Sequence, residues 1–360
     1  MRIALVVGAR PNVIKAAALV PALRARGAEV VVIHTGQHAD PVMSQQICDE
    51  LGLKIDRQLE CIGTNAAERI GDMITALSNY FSHEKFYLVM VVGDCDSTLA
   101  GALVTKKLGL RLAHVEAGLR ATDAVQENLN RILVDRMADD LFTSEPQADE
   151  NLIKEGSAVG VAQLIHSVGN VMIDCLHKFL PQEQERPLPA GLERHGYAVL
   201  TLHRAENVDD AEKLKAALLA VLPVAQQMPI FFPTHPRTQK LLAAMIGSNW
   251  LRPKHPMTCI IPFGYLDFIN LLSGARLVLT DSGGVQEETT ALGIPCLTLR
   301  TQTERPATIT GGTNRLVGLD PEKVREQLDS SSFWSSPGRG PSTWDGHAAE
   351  RVAEIVASFN

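Results

Sequence analysis

The chain has 360 residues, of which 45% are hydrophobic and 21% are charged, and its formal net charge is −7. This length predicts two domains rather than one core, and the composition is typical of a globular protein rather than a disordered one. The mild negative charge argues against nucleic acid or an anionic membrane as the main partner.

The cysteines and the N-terminus predict a cytoplasmic protein. The 6 cysteines show no CxxC or zinc-finger spacing, and several lie in apolar runs, which is typical of reduced thiols in a reducing compartment. The apolar run at the N-terminus spans only about seven residues, too few for a signal peptide. No apolar run approaches the roughly 20 residues that cross a bilayer.

Short runs of Val, Ile and Leu alternate with helical stretches along the first half of the chain. This alternation predicts a buried parallel sheet in a domain covering residues 1–177. We predict strands at Arg2–Val7, Glu29–His34, 87–93, 111–115 and Asp140–Thr143. The predicted helices include 13–26, 97–108 and 128–138.

A second series of strands and helices follows a segment rich in proline and charge, residues 178–196, which we interpret as a linker. The second domain is predicted to cover residues 197–344 and to end in a polar loop at 330–344. Its predicted strands are 197–202, 229–233, 258–261, 277–279 and 296–299. The predicted fold class is therefore α/β, with two Rossmann-like doubly wound domains and a cleft between them.

Polar side chains recur where these predicted strands end, at the edge where such sheets bind ligands. Asp94, Glu116 and Glu127 with His203 form a candidate acid–base set, because crowded carboxylates separate into proton donors and bases. Each of them could instead be a helix cap or an ion-pair partner. That alternative is weaker for the first two, because an unused acid after an apolar strand costs several kcal/mol.

The segment Ser282-Gly283-Gly284 precedes a predicted helix and is a candidate phosphate site. Glycines allow close approach of the backbone, and a helix start offers free N–H groups and a positive dipole end. Glu288, about one turn later, could accept hydrogen bonds from ribose hydroxyls. The alternative is an ordinary turn in which Ser282 caps the helix. The absence of GxGxxG argues against a dinucleotide.

Three cationic residues and one histidine are further candidates for contact with a ligand. Arg10 and Lys15 follow the first strand and could clamp a diphosphate, although a surface arginine and an ordinary helix lysine remain alternatives. Arg305 could add a phosphate contact or be a solvated turn residue, and His235 could line the cleft or cap a helix.

No metal site is predicted. His34 and His38 are four residues apart, but they straddle a strand end and a glycine rather than sharing a helical face. The nucleophile elbow GxSxG is also absent.

Taken together, the motifs resemble those of non-hydrolysing UDP-N-acetylglucosamine 2-epimerases, in register from residue 1 to about 320. The segments that carry the resemblance are GARPNVIK (8–15), HTGQH (34–38), VVGDCDSTLA (91–100), HVEAGLR (114–120), ENLNR (127–131), VGNVMID (168–174), TLHRAEN (201–207), FPTHPRT (232–238), LTDSGGVQEE (279–288), and TERP with GGTNRLVG (303–318). The family is similar in fold to two-Rossmann (GT-B) glycosyltransferases, in which the closing helix, here 345–360, packs back on the first domain.

The resemblance implies a cofactor-free homodimer that epimerises UDP-GlcNAc to UDP-ManNAc through 2-acetamidoglucal and UDP. It assigns acid–base and leaving-group chemistry to the four candidates above, and UDP binding to six residues: Arg10, Lys15, Ser282, Gly283, Gly284 and Glu288. Within the same motifs, the further candidates for substrate contact are His38, Arg131, Arg204, His235 and Arg305.

The chain departs from the family pattern before Arg131. The usual Pro-Glu-Glu stretch reads Gln126-Glu127-Asn128 here, so only the first glutamate survives. Alternatives to the non-hydrolysing epimerase are a hydrolysing one that releases ManNAc and UDP, a GT-B glycosyltransferase, and a nucleotide-sugar-binding protein without turnover. Retention of all four acid–base positions argues against the last.

Overall fold

Two parallel α/β sheets, one in each half of the chain, form the fold. The computed structural model describes all residues except 38–40, 122–125, 158–162, 185, 190–191, 209, 235–237, 240, 243–255, 261–263, 336–337 and 360, and except the side chains of 41–45, 181–184 and 205–206. The chain divides into two units, Met1–Lys178 with Pro341–Asn360 and Phe179–Gly340.

The first unit alternates strands and helices from its N-terminus. Its strands are β1 (Arg2–Val7), β2 (Glu29–His34), β3 (Arg57–Gln58), β4 (Leu88–Val92), β5 (Arg111–Ala117), β6 (Asp140–Thr143) and β7 (Leu164–Ser167). Its helices are α1 (Arg10–Ala25), α2 (Pro41–Leu51), α3 (Ala66–His83), α4 (Asp96–Lys107), α5 (Gln126–Met137), α6 (Pro146–Ser157) and α7 (Val171–Gln184), whose last residues enter the second unit.

These strands form a parallel sheet in the order β3-β2-β1-β4-β5-β6-β7. The centre of the sheet is β4, LVMVV, which is buried throughout because helices cover both faces of a parallel sheet. The strand order reverses between β1 and β4, and their carboxyl ends form the topological switch point at which such sheets bind ligands.

The second unit repeats this plan. Its strands are β8 (Ala198–Thr201), β9 (Ile230–Pro233), β10 (Met257–Ile260), β11 (Leu277–Thr280), β12 (Cys296–Thr298) and β13 (Asn314–Leu316). Among the described residues its helices are α8 (Ala205–Val208), α9 (Ala211–Ala225), α10 (Tyr265–Ser273), α11 (Gly283–Leu292), α12 (Pro306–Thr310), α13 (Pro321–Asp329) and α14 (Ser331–Trp334).

The second sheet is parallel with the order β10-β9-β8-β11-β12-β13, and its switch point lies between β8 and β11. Thr201 and Thr280 pair at that point, and their hydroxyl oxygens lie 2.6 Å apart. The final helix α15 (Ala348–Ala357) belongs to the first unit. It packs on α1, and its Ala349 N–H donates to the Asp174 carboxylate.

The predicted α/β class with two doubly wound sheets is confirmed, with strand bounds shifted by at most a few residues. Helix α1 begins at Arg10, three residues before the predicted start. Pro11 suits a first helical turn, and the Asn12 side chain accepts hydrogen bonds from the N–H groups of Gly8 and Ala9 at 3.4 and 3.0 Å.

Two predicted loop segments contain helix instead. Helix α7 runs to Gln184, so the prediction of a linker from residue 178 is wrong for its first residues. The segment 330–344, predicted as a polar loop, includes α14, because Phe333 is buried and anchors a helical turn. Within the described part of the chain, no helix combines the length and apolar character needed to cross a membrane.

Candidate active site

Two carboxylates extend the adjacent central strands of the first sheet. Asp94 follows β4 after Gly93, and Glu116 lies near the end of β5. Strands β4 and β5 pair in parallel with Val92 beside Val115, so their carboxyl ends reach the same edge. The sequence predicted both acids at strand ends, and the structure brings them together.

Arg131 of helix α5 joins these two carboxylates. Its Nη2 lies 2.5 Å from Asp94 Oδ2 and 3.3 Å from Glu116 Oε1. Lys15 of α1 forms an ion pair with the other oxygen of Glu116. Arg131, Lys15 and Glu116 are almost fully buried, whereas the Asp94 side chain is 30% exposed. The four groups alternate in charge, which is how buried ions compensate one another.

Glu116 has a backbone conformation that side-chain-bearing residues rarely adopt. Its φ is +70°, and the register between β5 and β6 shifts at this point, between Val115 and Ala117. A non-glycine residue in the left-handed region costs about 1–3 kcal/mol and persists where the surroundings fix it, often at functional sites. Here the shift turns the Glu116 side chain towards Lys15 and Arg131.

Two asparagines support the same edge. Asn12 Nδ2 donates to the carbonyl oxygen of Val92 at 2.9 Å, and its Oδ1 binds the loop after β1. Asn130 Nδ2 donates to the Asp94 carbonyl oxygen at 3.0 Å and to Asp96 Oδ1 at 3.1 Å. The loop after β1 is therefore held by a side chain of α1, and the loop after β4 by a side chain of α5.

Glu127 and Arg10 lie at the starts of helices. Glu127 is exposed in the first turn of α5, one turn before Arg131 and on the same face. Arg10 is the first residue of α1 and is half-buried. Both therefore border the edge that carries Asp94 and Glu116.

His203 of the second unit is held by a buried carboxylate. Its Nδ1 lies 2.7 Å from Asp281 Oδ1, and Asp281 also accepts hydrogen bonds from Asn207 Nδ2 at 2.8 Å and from the Arg204 N–H at 3.2 Å. Burial raises the pKa of Asp281, but the hydrogen bond and charge of His203, together with hydrogen bonds from the Asn207 side chain and the Arg204 backbone, outweigh it. The pKa of Asp281 therefore lies below the ordinary value. An ionised Asp281 only accepts, so Nδ1 donates and Nε2 is left for a ligand. The His203 side chain is 59% exposed.

The segment Ser282-Gly283-Gly284 opens α11 at the end of β11, as the sequence predicted. Ser282 is the N-cap residue, and its hydroxyl accepts from the Val285 N–H at 3.5 Å. A Cβ at Gly283 would lie 2.7 Å from Glu304 Oε1, so a larger residue there would force Glu304 to move from its ion pair with Arg300. A helix start of this kind provides N–H groups for a phosphate.

Of the five remaining candidates, the structure describes three. Glu288 is buried on α11, and Arg305 is buried with its Nε 2.6 Å from Glu287 Oε1. Arg204 is half-buried beside Asp281. The other two candidates, His38 and His235, lie outside the described residues.

Sequence reasoning gave no role to three residues that the structure places beside candidate residues of their own unit, namely Asp281, His114 and Asp135. Asp281 was visible as an acid at a strand end, but its contact with His203 joins residues 78 positions apart. His114 lies two residues before Glu116 in the same polar strand end, and that position is a signal that could have marked it as a candidate. It contacts Asp135 of α5 at 2.7 Å. No spacing rule connects these pairs, because each spans different elements.

Comparisons with known proteins point to one family. A family model described as UDP-N-acetylglucosamine 2-epimerase matches residues 21–357. The UDP-N-acetylglucosamine 2-epimerase of Methanococcus maripaludis is 35% identical over 99% of this chain and 98% of its own length. The UDP-2,3-diacetamido-2,3-dideoxy-D-glucuronate 2-epimerase of Pseudomonas aeruginosa is 38% identical over the whole of both chains.

A solved structure shares the fold. The Methanocaldococcus jannaschii UDP-GlcNAc 2-epimerase, in complex with UDP-GlcNAc and UDP, superposes with a TM-score of 0.85 at 35% identity, covering 99% of each chain. This likeness confirms the predicted two-Rossmann fold, and the family predicted from the motifs is confirmed as well. The chain belongs to the UDP-N-acetylglucosamine 2-epimerase family.

Proposed function

We propose that this enzyme epimerises C2 of a UDP-2-acetamido sugar without hydrolysing it. A base removes the C2 proton, the electron pair forms the C1–C2 double bond, and the C1–O bond to UDP breaks. UDP then returns to C1 while a proton reaches the opposite face of C2. The intermediate is a 2-acetamidoglucal, and the reaction consumes no cofactor.

The observation that carries this proposal is the bridge that Arg131 makes between Asp94 and Glu116 at 2.5 and 3.3 Å. Adding and removing protons on opposite faces of one carbon needs two groups, and adjacent strand ends supply two carboxylates here. Glu127 and His203 complete the proposed acid–base set, with His203 oriented by Asp281.

The proposed UDP-binding residues combine a helix start with cations. Ser282, Gly283 and Gly284 offer backbone N–H groups to the pyrophosphate, and Arg305 adds positive charge near Gly283. The other proposed substrate contacts are Arg10, Lys15, His38, Arg131, Arg204, His235 and Glu288.

The first substrate is UDP-N-acetylglucosamine, which the archaeal relatives are named for. A second candidate is the UDP-linked 2,3-diacetamido uronate, because the Pseudomonas relative named for it matches the whole chain at 38% identity. The altered segment 126–128 is a reason to test both, since only one of the two family glutamates remains there.

The test is incubation with each UDP-sugar in D₂O, followed by NMR. Deuterium at C2 and a mixture of UDP-linked epimers are expected for the true substrate. Free N-acetylmannosamine with stoichiometric UDP would instead identify a hydrolysing enzyme. Transfer to an acceptor without C2 exchange would identify a glycosyltransferase, and the absence of C2 exchange with every UDP-2-acetamido sugar would overturn the proposal.

A further inference from the structure

A fully buried histidine, His114 of β5, lies behind the two candidate acids. Its Nδ1 is 2.7 Å from Asp135 Oδ1 and its Nε2 is 2.7 Å from the Gly93 carbonyl oxygen. The carbonyl can only accept, so Nε2 donates. Burial raises the pKa of Asp135, but the charge and hydrogen bonds of His114 and Arg120 outweigh it and leave the pKa below the ordinary value. Asp135 and the Gly93 carbonyl group therefore hold the His114 ring at both of its nitrogens.

The bond from His114 fixes the peptide that leads into Asp94. Gly93 has a φ of +69°, and its N–H donates to the Val115 carbonyl oxygen at 2.9 Å. Its carbonyl oxygen is the acceptor for His114, so both polar groups of Gly93 are held by β5. The direction in which Asp94 leaves the strand is therefore set from β5.

Asp135 holds the segment after Glu116 with its second oxygen. Asp135 Oδ2 accepts from the Gly118 N–H at 3.0 Å and from Arg120 Nη1 at 2.7 Å. Gly118 comes two residues after Glu116, just beyond the register shift. Asp135 also lies one turn after Arg131 on α5, so one helix face supports both strand ends.

We propose that His114 and Asp135 are positioning residues for the epimerisation, a role that rests on the proposed function of Asp94 and Glu116. Through Gly93 the pair holds the strand end that carries Asp94. Through Gly118 it holds the strand end that carries Glu116. It touches neither reacting carbon. Its loss therefore lowers the rate of proton transfer at C2 and leaves the binding of UDP in place.

The matched experiment compares Asp135→Asn with Asp140→Asn. Asp140 is equally buried and also binds a histidine and an arginine, His166 at 3.1 Å and Arg111 at 2.7 Å. It starts β6 and so lies at the opposite edge of the sheet. We expect Asp135→Asn to lower kcat for C2 exchange by about 10–100-fold, with KM and the Kd of UDP changed less than about threefold. Asp140→Asn should lower Tm and leave kcat within about twofold.

A second pair of variants covers the case in which Asp135→Asn does not fold. Arg120→Met removes one donor to Asp135, and Arg136→Met is its control because both arginines pair with Glu155 but only Arg120 binds Asp135. A fall in kcat for Arg120→Met alone supports the proposal. Equal kcat within each matched pair would overturn it.

Two controls separate this inference from the proposed function. Absence of C2 exchange in the wild-type enzyme refutes the proposed function itself. C2 exchange at the wild-type rate in both Asp94→Asn and Glu116→Gln refutes the positioning role, because these two acids are the groups that His114 and Asp135 would position.

Discussion

Replacing Arg131 by methionine removes the guanidinium that Asp94 and Glu116 share. Arg131 is 2% exposed, and removing one partner of a buried ion pair costs about 3–5 kcal/mol. The partly exposed Asp94 regains water, and Lys15 still pairs with Glu116. We therefore expect the lower end of that range, about 3 kcal/mol, which lowers the Tm of a unit this size by about 6–12 °C.

The same variant lowers the rate of catalysis. Arg131 lies 2.5 Å from Asp94 and 3.3 Å from Glu116, so its loss removes the group that fixes the separation of the two carboxylates. Because small displacements of reacting groups are costly, kcat for C2 exchange should fall by about 10²-fold. Arg131→Lys keeps the charge but loses the planar fork, so its kcat should fall less. A methionine variant with the wild-type Tm and kcat would refute the role given to Arg131.

Three further predictions concern single residues. Asp94→Asn should lower kcat by about 10²–10⁴-fold with the fold intact by circular dichroism, and near-wild-type turnover would remove Asp94 from the site. The pKa of Asp281 is lower in the folded protein, so its stabilising effect is present above about pH 4 and is lost as the pH falls through the folded value. Acid titration should therefore destabilise the wild type more steeply than Asp281→Asn, and parallel curves would contradict the shift. Gly283→Ala should weaken UDP binding by about tenfold or more in calorimetry, because the methyl group would stand on the backbone that the proposed phosphate approaches and would force Glu304 to move. Gly71→Ala is the control, since its Cβ would meet no atom within 4 Å, and equal UDP affinity in the two variants would argue against the phosphate site.

The sequence predicted those parts of the fold that depend on local patterns. The apolar runs of β4 and β11 predict strands, and Asp94 and Ser282 come two residues after them. Because parallel strands of one sheet bring their carboxyl ends to the same edge, the sequence also predicts on which edge of its sheet each residue lies. The predicted start of helix α1 was three residues too late. The true start depends on the Asn12 side chain, whose contacts are not visible in hydrophobic periodicity. Short edge strands such as Leu164–Ser167 were missed because they are only partly buried and lack a continuous apolar run.

The sequence could not predict how the site residues pair. Glu116 adopts a positive φ that no propensity assigns to glutamate, and only the register shift between β5 and β6 produces it. The sequence predicted that Lys15 would clamp a diphosphate and that Arg131 would contact the substrate, yet their described contacts are with the acids. Such pairings depend on which helix faces which strand, and that follows from packing over the whole sheet.

The entry of solvent deuterium at C2 tests the central claim, that adjacent carboxylates move a proton on and off that carbon. With a UDP-2-acetamido sugar in D₂O, the wild-type enzyme should incorporate one deuterium at C2 in both UDP-linked epimers. Asp94→Asn and Glu116→Gln should each slow incorporation by about 10²–10⁴-fold while still binding UDP. Epimers formed without deuterium at C2, or incorporation at the wild-type rate in both variants, would contradict the account.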